Sequence, residues 1–221
     1  MKPSLLRRAV AEFTGTLLLL AAVVGSGIMG ERLSEGNVAL ALLANALATG
    51  AALVAIILTF GPVSGAHLNP AVTLADAWMG GIAWHETPVY LLAQTAGAFA
   101  GVAIAHLMFG LTVLSVSTHA RSGTAQVFSE FVATFGLLAV IWGCARTRPG
   151  TIAFAVGAYI VAAYWFTAST SFANPAVTIA RSLTNTFAGV RPPDVPAFVA
   201  AQLAGGFAAT LLFQWLVPAK D

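Results

Sequence analysis

The sequence predicts an all-α membrane protein with six tilted transmembrane helices and two re-entrant half-helices. Three observations predict this fold class. Of the 221 residues, 58% are hydrophobic and only 8% are charged. Six apolar runs are long enough to cross a bilayer, and two similar Asn-Pro-Ala stretches lie between them. Because a soluble domain carries about 25% charged residues, an ordinary soluble protein is excluded.

The six apolar runs follow one another along the whole chain. At about 1.5 Å per residue, each has the length needed to cross roughly 30 Å of hydrocarbon. The runs cover residues 9–30, 38–60, 87–110, 125–145, 151–168 and 195–217. The first is too long for the apolar part of a signal peptide, so we expect it to be retained as a spanning helix.

The two Asn-Pro-Ala stretches predict half-helices inside the membrane. The strings 69–73 and 174–178 both read Asn-Pro-Ala-Val-Thr, between the second and third runs and between the fifth and sixth. Asn suits the cap position of a helix and Pro suits its first turn. About ten helix-compatible residues follow each string, enough for roughly half a membrane. We therefore expect each half-helix to follow a stretch of coil, residues 62–67 before the first and 167–173 before the second.

The two halves of the chain repeat. Residues 10–16 match 128–134, and residues 93–97 match 201–205, in the same order as the Asn-Pro-Ala strings. The repeats cover approximately 1–115 and 120–221 of a single membrane domain, 1–221. Since each contains an odd number of spans, the second must be inverted, and the half-helices then meet near the midplane.

Positive charges predict the orientation in the membrane. Cytoplasmic loops carry the larger share of Lys and Arg, which places both termini in the cytoplasm. The cations on that side are Lys2, Arg7, Arg8, Arg146, Arg148 and Lys220.

The polar residues within these apolar segments predict a pore. Asn69 and Asn174 would cap their helices through oxygen and point amide donors into the pore, where helix dipoles disfavour cations. Glu12 and Glu130 are costly in a membrane unless they are paired. They would either couple protons or hold the re-entrant loops, and their symmetric placement favours loop support. His67 would lie at the inner pore mouth, as a hydrogen-bonding side chain or as a pH gate, and the first role is favoured.

These motifs resemble those of the major intrinsic protein family, the aquaporins and aquaglyceroporins, over essentially the whole chain. The resemblance lies in residues 64–76 and 173–181, and in the two segments that contain Glu-Phe, residues 10–16 and 128–134. It implies a right-handed bundle with one pore per subunit, assembled as a homotetramer in the inner membrane of the cell. It also implies passive flow of small neutral solutes, with membrane lipid as the surroundings and no cofactor, metal, enzymatic activity or nucleic acid.

Most relatives place an arginine directly after the second Asn-Pro-Ala, where this chain has Val177. By distance from each Asn, the other three constriction positions are Thr49, Ala162 and Ser171. Four small side chains predict a wide constriction. The set resembles the bacterial aquaglyceroporin branch associated with arsenic resistance, which implies flow of arsenous acid, methylated arsenicals, glycerol or urea alongside water. Arg181, one turn beyond Val177, would line the outer vestibule or snorkel to the membrane interface.

A secondary transporter is the alternative, because broken helices and inverted repeats also surround the midplane sites of carriers. A carrier would require a coupling ion. The same donor residue on both half-helices favours a channel.

Overall fold

The computed structural model describes residues 3–217. It confirms the all-α fold, with six long apolar helices and two short ones within those residues. The long helices are α1 (Leu5–Leu33), α2 (Val38–Ser64), α4 (Thr87–Met108), α5 (Thr124–Thr147), α6 (Ile152–Phe166) and α8 (Val195–Leu216). The short helices, α3 (Pro70–Trp78) and α7 (Pro175–Arg181), begin directly after the two asparagines.

The end of α2 differs from the sequence prediction. The helix passes Pro62, where coil was expected to begin, and continues to Ser64. A proline removes one backbone donor, and the missing bond is tolerated in this last turn of the helix. Gly65 then stops the helix with a left-handed φ of 91°, and its N–H donates to the carbonyl of Gly61 at 3.0 Å. Such a left-handed C-cap is a common helix terminator.

The two halves pack in the same pattern. In the first half α1 contacts α2 and α4, and in the second half α5 contacts α6 and α8. The halves join where α2 crosses α6 and where α3 meets α7. At the first crossing Gly50 faces Gly157, and a Cβ on either would lie within 2.9 Å of the other's carbonyl oxygen. The absence of side chains therefore brings the two backbones into contact.

A second pair of glycines sets the closest approach within each half. A Cβ on Gly97 of α4 would overlap the carbonyl oxygen of Phe13 on α1. A Cβ on Gly205 of α8 would overlap the carbonyl oxygen of Phe131 on α5 in the same way. Both glycines lie in the repeated segments 93–97 and 201–205, so the match between the repeats extends to their packing.

We predict that Gly97→Ala destabilises the fold, because the new methyl group would force the backbones of α1 and α4 apart. Overpacking of this kind costs about 1–3 kcal/mol. Thermal unfolding in detergent should show a lower midpoint than for the wild type. Gly206→Ala in α8 is the matched control, since the nearest atom to the Cβ it would add lies 3.6 Å away, an ordinary contact. An equal fall in both midpoints would contradict this account of the packing.

Candidate functional site

Each half-helix is preceded by coil that is buried in the bundle. Several residues in these two segments have left-handed backbones although they are not glycine, namely Ala66, Leu68, Thr170, Ser171 and Ala173. Each left-handed residue costs roughly 1–2 kcal/mol. The coil also leaves backbone N–H groups outside any helix, so other parts of the protein must hold it in place.

The Glu12 carboxylate of α1 holds the first coil. It accepts hydrogen bonds from the backbone N–H groups of His67 at 3.0 Å and Leu68 at 2.7 Å. It also accepts from the Ser64 hydroxyl at 2.6 Å and from the Gln94 amide at 2.8 Å. Glu12 is fully buried, and four donors surround its two oxygens. The hydrogen bonds of Glu12 therefore hold the coil and link it to helices α2 and α4.

Glu130 of α5 does the same for the second coil. It accepts from the N–H groups of Phe172 and Ala173, each at 2.9 Å, and from the amide of Gln202 at 2.6 Å. Leaving one buried N–H without a partner costs about 1–3 kcal/mol. Sequence reasoning placed the two glutamates at the loops but missed Gln94 and Gln202. The signal for them was present, because both lie in the repeated segments.

The two asparagines cap their half-helices through their side-chain oxygens. The Oδ1 atom of Asn69 accepts from the N–H of Ala71 at 2.9 Å, and that of Asn174 accepts from Ala176 at 3.0 Å. These are the caps that the Asn-Pro pattern predicts.

The two asparagine amides also join the halves of the protein. Asn69 donates to the carbonyl of Ala173 at 2.8 Å, and Asn174 donates to the carbonyl of Leu68 at 2.8 Å. The sequence predicts these amides in the pore alone, without a contact between the halves. Since an amide carries two hydrogens, the second one on each asparagine has no acceptor among residues 3–217 and is available to a solute.

A cavity of about 230 Å³ runs past both asparagines. It extends from His67 and Asp76, beside one half-helix, to Val177 and Arg181 on the other. Residues of both half-helices, and of the coil before each, therefore line one cavity at the centre of the bundle.

Polar side chains line the end of the cavity beside α3. The Nδ1 atom of His67 lies 3.1 Å from the hydroxyl of Thr73, and its Nε2 atom lies 3.6 Å from the carboxylate of Asp76. Asp76 was not among the predicted pore residues. Its position about two turns along the half-helix does not decide whether a short acidic side chain reaches the cavity.

The other end of the cavity, beside α7, differs from the sequence prediction at one residue. Thr49, Ser171 and Val177 line it, whereas Ala162 is exposed on the outside of α6 and does not. Tyr164 lines the cavity instead, and its hydroxyl lies 3.3 Å from that of Thr49. Residues two apart on a helix point about 200° apart, so an error of two residues exchanges the cavity face for the outer face.

Arg181 is buried within the protein, with only 2% of its surface exposed, so it is not an exposed snorkelling side chain. Its Nε donates to the carbonyl of Ala188. Its guanidinium carbon lies 3.4 Å above the centre of the Phe172 ring, the geometry of a cation–π contact. Phe172 in turn packs edge-on against the buried Phe198, with ring centres 5.4 Å apart. The arginine is therefore held rigidly beside the cavity.

A second arginine, Arg121, lies in the outer loop between α4 and α5. Its side chain donates to the carbonyls of Gly189 at 2.8 Å, Ser169 at 3.3 Å and Phe187 at 3.3 Å. Burial lowers the pKa of the Arg121 guanidinium from its ordinary value. These bonds tie the loop between α4 and α5 to the coil before α7 and to the loop after α7.

Comparisons with known proteins agree with this geometry. The Major intrinsic protein family model matches residues 1–151 and 147–221. Aquaglyceroporin AqpS of Rhizobium meliloti (strain 1021) is 55% identical over 217 residues, which is 98% of this chain and 93% of that protein. Probable aquaporin NIP7-1 of Arabidopsis thaliana is 38% identical over 130 residues, 58% of this chain and 46% of that protein.

A solved structure has the same fold. The X-ray structure of the aquaglyceroporin from Plasmodium falciparum matches with a TM-score of 0.75, covering 97% of this chain and 98% of that one. The sequence identity between the two is 22%. At that identity the match supports the fold and nothing further.

We predict that Tyr164→Ala widens the cavity beside Thr49, because it removes the aromatic ring whose hydroxyl contacts Thr49. Urea and glycerol permeability, measured in proteoliposomes, should rise relative to water permeability. Ala162→Val is the matched control on the same helix and should leave the ratio unchanged. A change with Ala162→Val and none with Tyr164→Ala would restore the sequence-based assignment.

Proposed function

Because this chain belongs to the major intrinsic protein family, we propose that it is a passive channel for water and small neutral solutes. The observation that carries the proposal is the cavity that passes both asparagine caps. The free amide hydrogens there can donate to a solute oxygen in transit. Backbone and hydroxyl groups along the passage replace the rest of its hydration shell.

The outer constriction supports solutes larger than water. Its members are Thr49, Tyr164, Ser171 and Val177, three small side chains and one ring. With valine at position 177, where relatives place arginine, no guanidinium side chain crosses this point. Glycerol and urea are the simplest solutes for such a pore.

We also propose arsenous acid and methylated arsenicals as solutes. Arsenous acid is a small neutral molecule with hydroxyl groups, so it can pair with the same donors and hydroxyls as glycerol. The resemblance of the constriction to the branch associated with arsenic resistance supports this choice.

A proton-coupled secondary transporter is the competing function, and the glutamates argue against it. Glu12 and Glu130 are bonded to loop N–H groups and do not line the cavity. A coupling group must exchange its proton with the pathway, and these two carboxylates have no access to it.

The membrane arrangement is part of the proposal. We propose one channel domain over 1–221, four subunits in a homotetramer, and an inner-membrane location with both termini cytoplasmic. The six apolar helices and the leucine-rich exposed faces of α1, α2 and α8 support contact with lipid and neighbouring subunits. Two of the cations used to assign the orientation, Lys2 and Lys220, lie outside the described residues.

Stopped-flow light scattering on proteoliposomes tests the proposed function. Water, glycerol, urea and arsenous acid should all enter faster than in protein-free vesicles, without dependence on a proton gradient. Empty vesicles and vesicles with an unrelated membrane protein are the controls. Flux of water alone would reject the wide pore, and gradient-driven flux would favour the transporter.

We predict that Val177→Arg narrows the constriction, because a guanidinium side chain would enter the space beside Thr49 and Tyr164. Glycerol permeability should fall by about tenfold, the effect of roughly 1.4 kcal/mol on the barrier, and water permeability should fall less. Val177→Leu, which adds only one methylene, is the matched control. Equal losses for both solutes in Val177→Arg would place residue 177 away from the constriction.

A further inference from the structure

We propose that Arg181 supplies the charged donor of the outer pore, one helical turn away from the position where relatives carry their arginine. The inference rests on the proposed channel function and assigns a selectivity role within it. Arg181 would orient solute oxygens and exclude cations.

The first argument is the helical register. Arg181 lies four residues after Val177 on α7, so both side chains are on the same face of the half-helix, and both line the cavity. Four residues advance the chain by about 6 Å along a helix. The charge therefore lies on the path of the solute, displaced outward from the constriction.

The second argument is how the guanidinium is held. Nε is bonded to the carbonyl of Ala188, and the planar group lies on the Phe172 ring. No acceptor within residues 3–217 pairs with its two terminal nitrogens. The hydrogen bond of Nε and the contact with the Phe172 ring thus fix the side chain, while the N–H groups of its two terminal nitrogens remain available to a solute.

Arg121, the second arginine beside Phe172, forms different hydrogen bonds from Arg181. The three guanidinium nitrogens of Arg121 donate to loop carbonyls, so Arg121 is used for structure. Arg121 also lies near the same ring, with its guanidinium carbon 5.1 Å from the centre of Phe172. Both cations add to the positive potential at this end of the cavity. The carboxylate of Glu130 faces the loop backbone behind them and does not line the cavity.

The third argument is an unpaired hydroxyl. Ser171 is 97% buried, lines the cavity, and its Oγ has no hydrogen-bond partner in the described structure. A buried hydroxyl without a partner is costly, unless a solute or a water pairs with it. Together with the guanidinium, it suits a neutral molecule with several oxygen atoms, such as a polyol or an undissociated oxyacid.

The test compares Arg181→Gln with Arg32→Gln in proteoliposomes. Gln keeps a polar amide and a similar stem but removes the charge. Arg32 makes the same kinds of contact, since it donates to the carbonyl of Phe109 at 3.2 Å and lies 5.2 Å over that ring, but it does not line the cavity. Potassium and proton leak are read from a potential-sensitive and a pH-sensitive dye, and glycerol and water flux from light scattering.

We expect Arg181→Gln to raise the cation leak by about tenfold or more, as loss of a charge from a site of low dielectric should, while Arg32→Gln stays at the wild-type level. The double variant Val177→Arg with Arg181→Gln returns the charge to the constriction and should restore cation exclusion. Arg181→Lys keeps the charge without the flat donor, so it should exclude cations but lower the glycerol-to-water ratio.

Wild-type cation leak and an unchanged glycerol-to-water ratio in Arg181→Gln would overturn the inference. So would equal leak in Arg181→Gln and Arg181→Lys, or failure of the double variant to restore exclusion while it conducts water. These results differ from a failure of the proposed function, in which the wild type itself passes no glycerol or urea. Size-exclusion profiles and thermal unfolding confirm that each variant tested is folded.

Discussion

The structure depends on one constraint, which is that non-helical backbone inside a membrane must find partners within the protein. Here two buried carboxylates supply them, Glu12 for one coil and Glu130 for the other. The positions of these carboxylates are also linked to the packing of the helices. Gln94 reaches Glu12 because Gly97, one turn further along α4, lets that helix lie directly against α1. The packing glycines and the polar network therefore form one unit, repeated in each half.

Much of the fold could be predicted from the sequence, since spanning helices and Asn-Pro caps are properties of local sequence. The pore lining was harder. Ala162 was assigned by distance from an asparagine, yet the cavity contains Tyr164, because a helix rotates by about 100° per residue and a small gap changes the face. The prediction that α2 ends before Pro62 was wrong for a similar reason. The effect of a proline depends on how near it lies to the end of the helix, and Pro62 lies in the last turn.

The environment of Arg181 could not be predicted from sequence spacing either. Its position at the end of a half-helix fits a snorkelling side chain as well as a pore residue. The choice depends on Phe172, Phe198 and Ala188, which the fold brings together from three different segments. Contacts of this kind are tertiary, and the hydrophobic pattern of any single helix contains no information about them.

The two repeats have the same arrangement of helices but carry opposite charges at one pair of matching positions. Asp76 and Arg181 each lie seven residues after the asparagine of their own stretch, and both line the cavity. If the two residues carried equal charges, their electric field along the passage would reverse at the centre. With opposite charges, the contribution of this pair to the field points the same way along the whole passage. The duplicated scaffold thus gives the passage an electrical polarity that its symmetry alone would cancel.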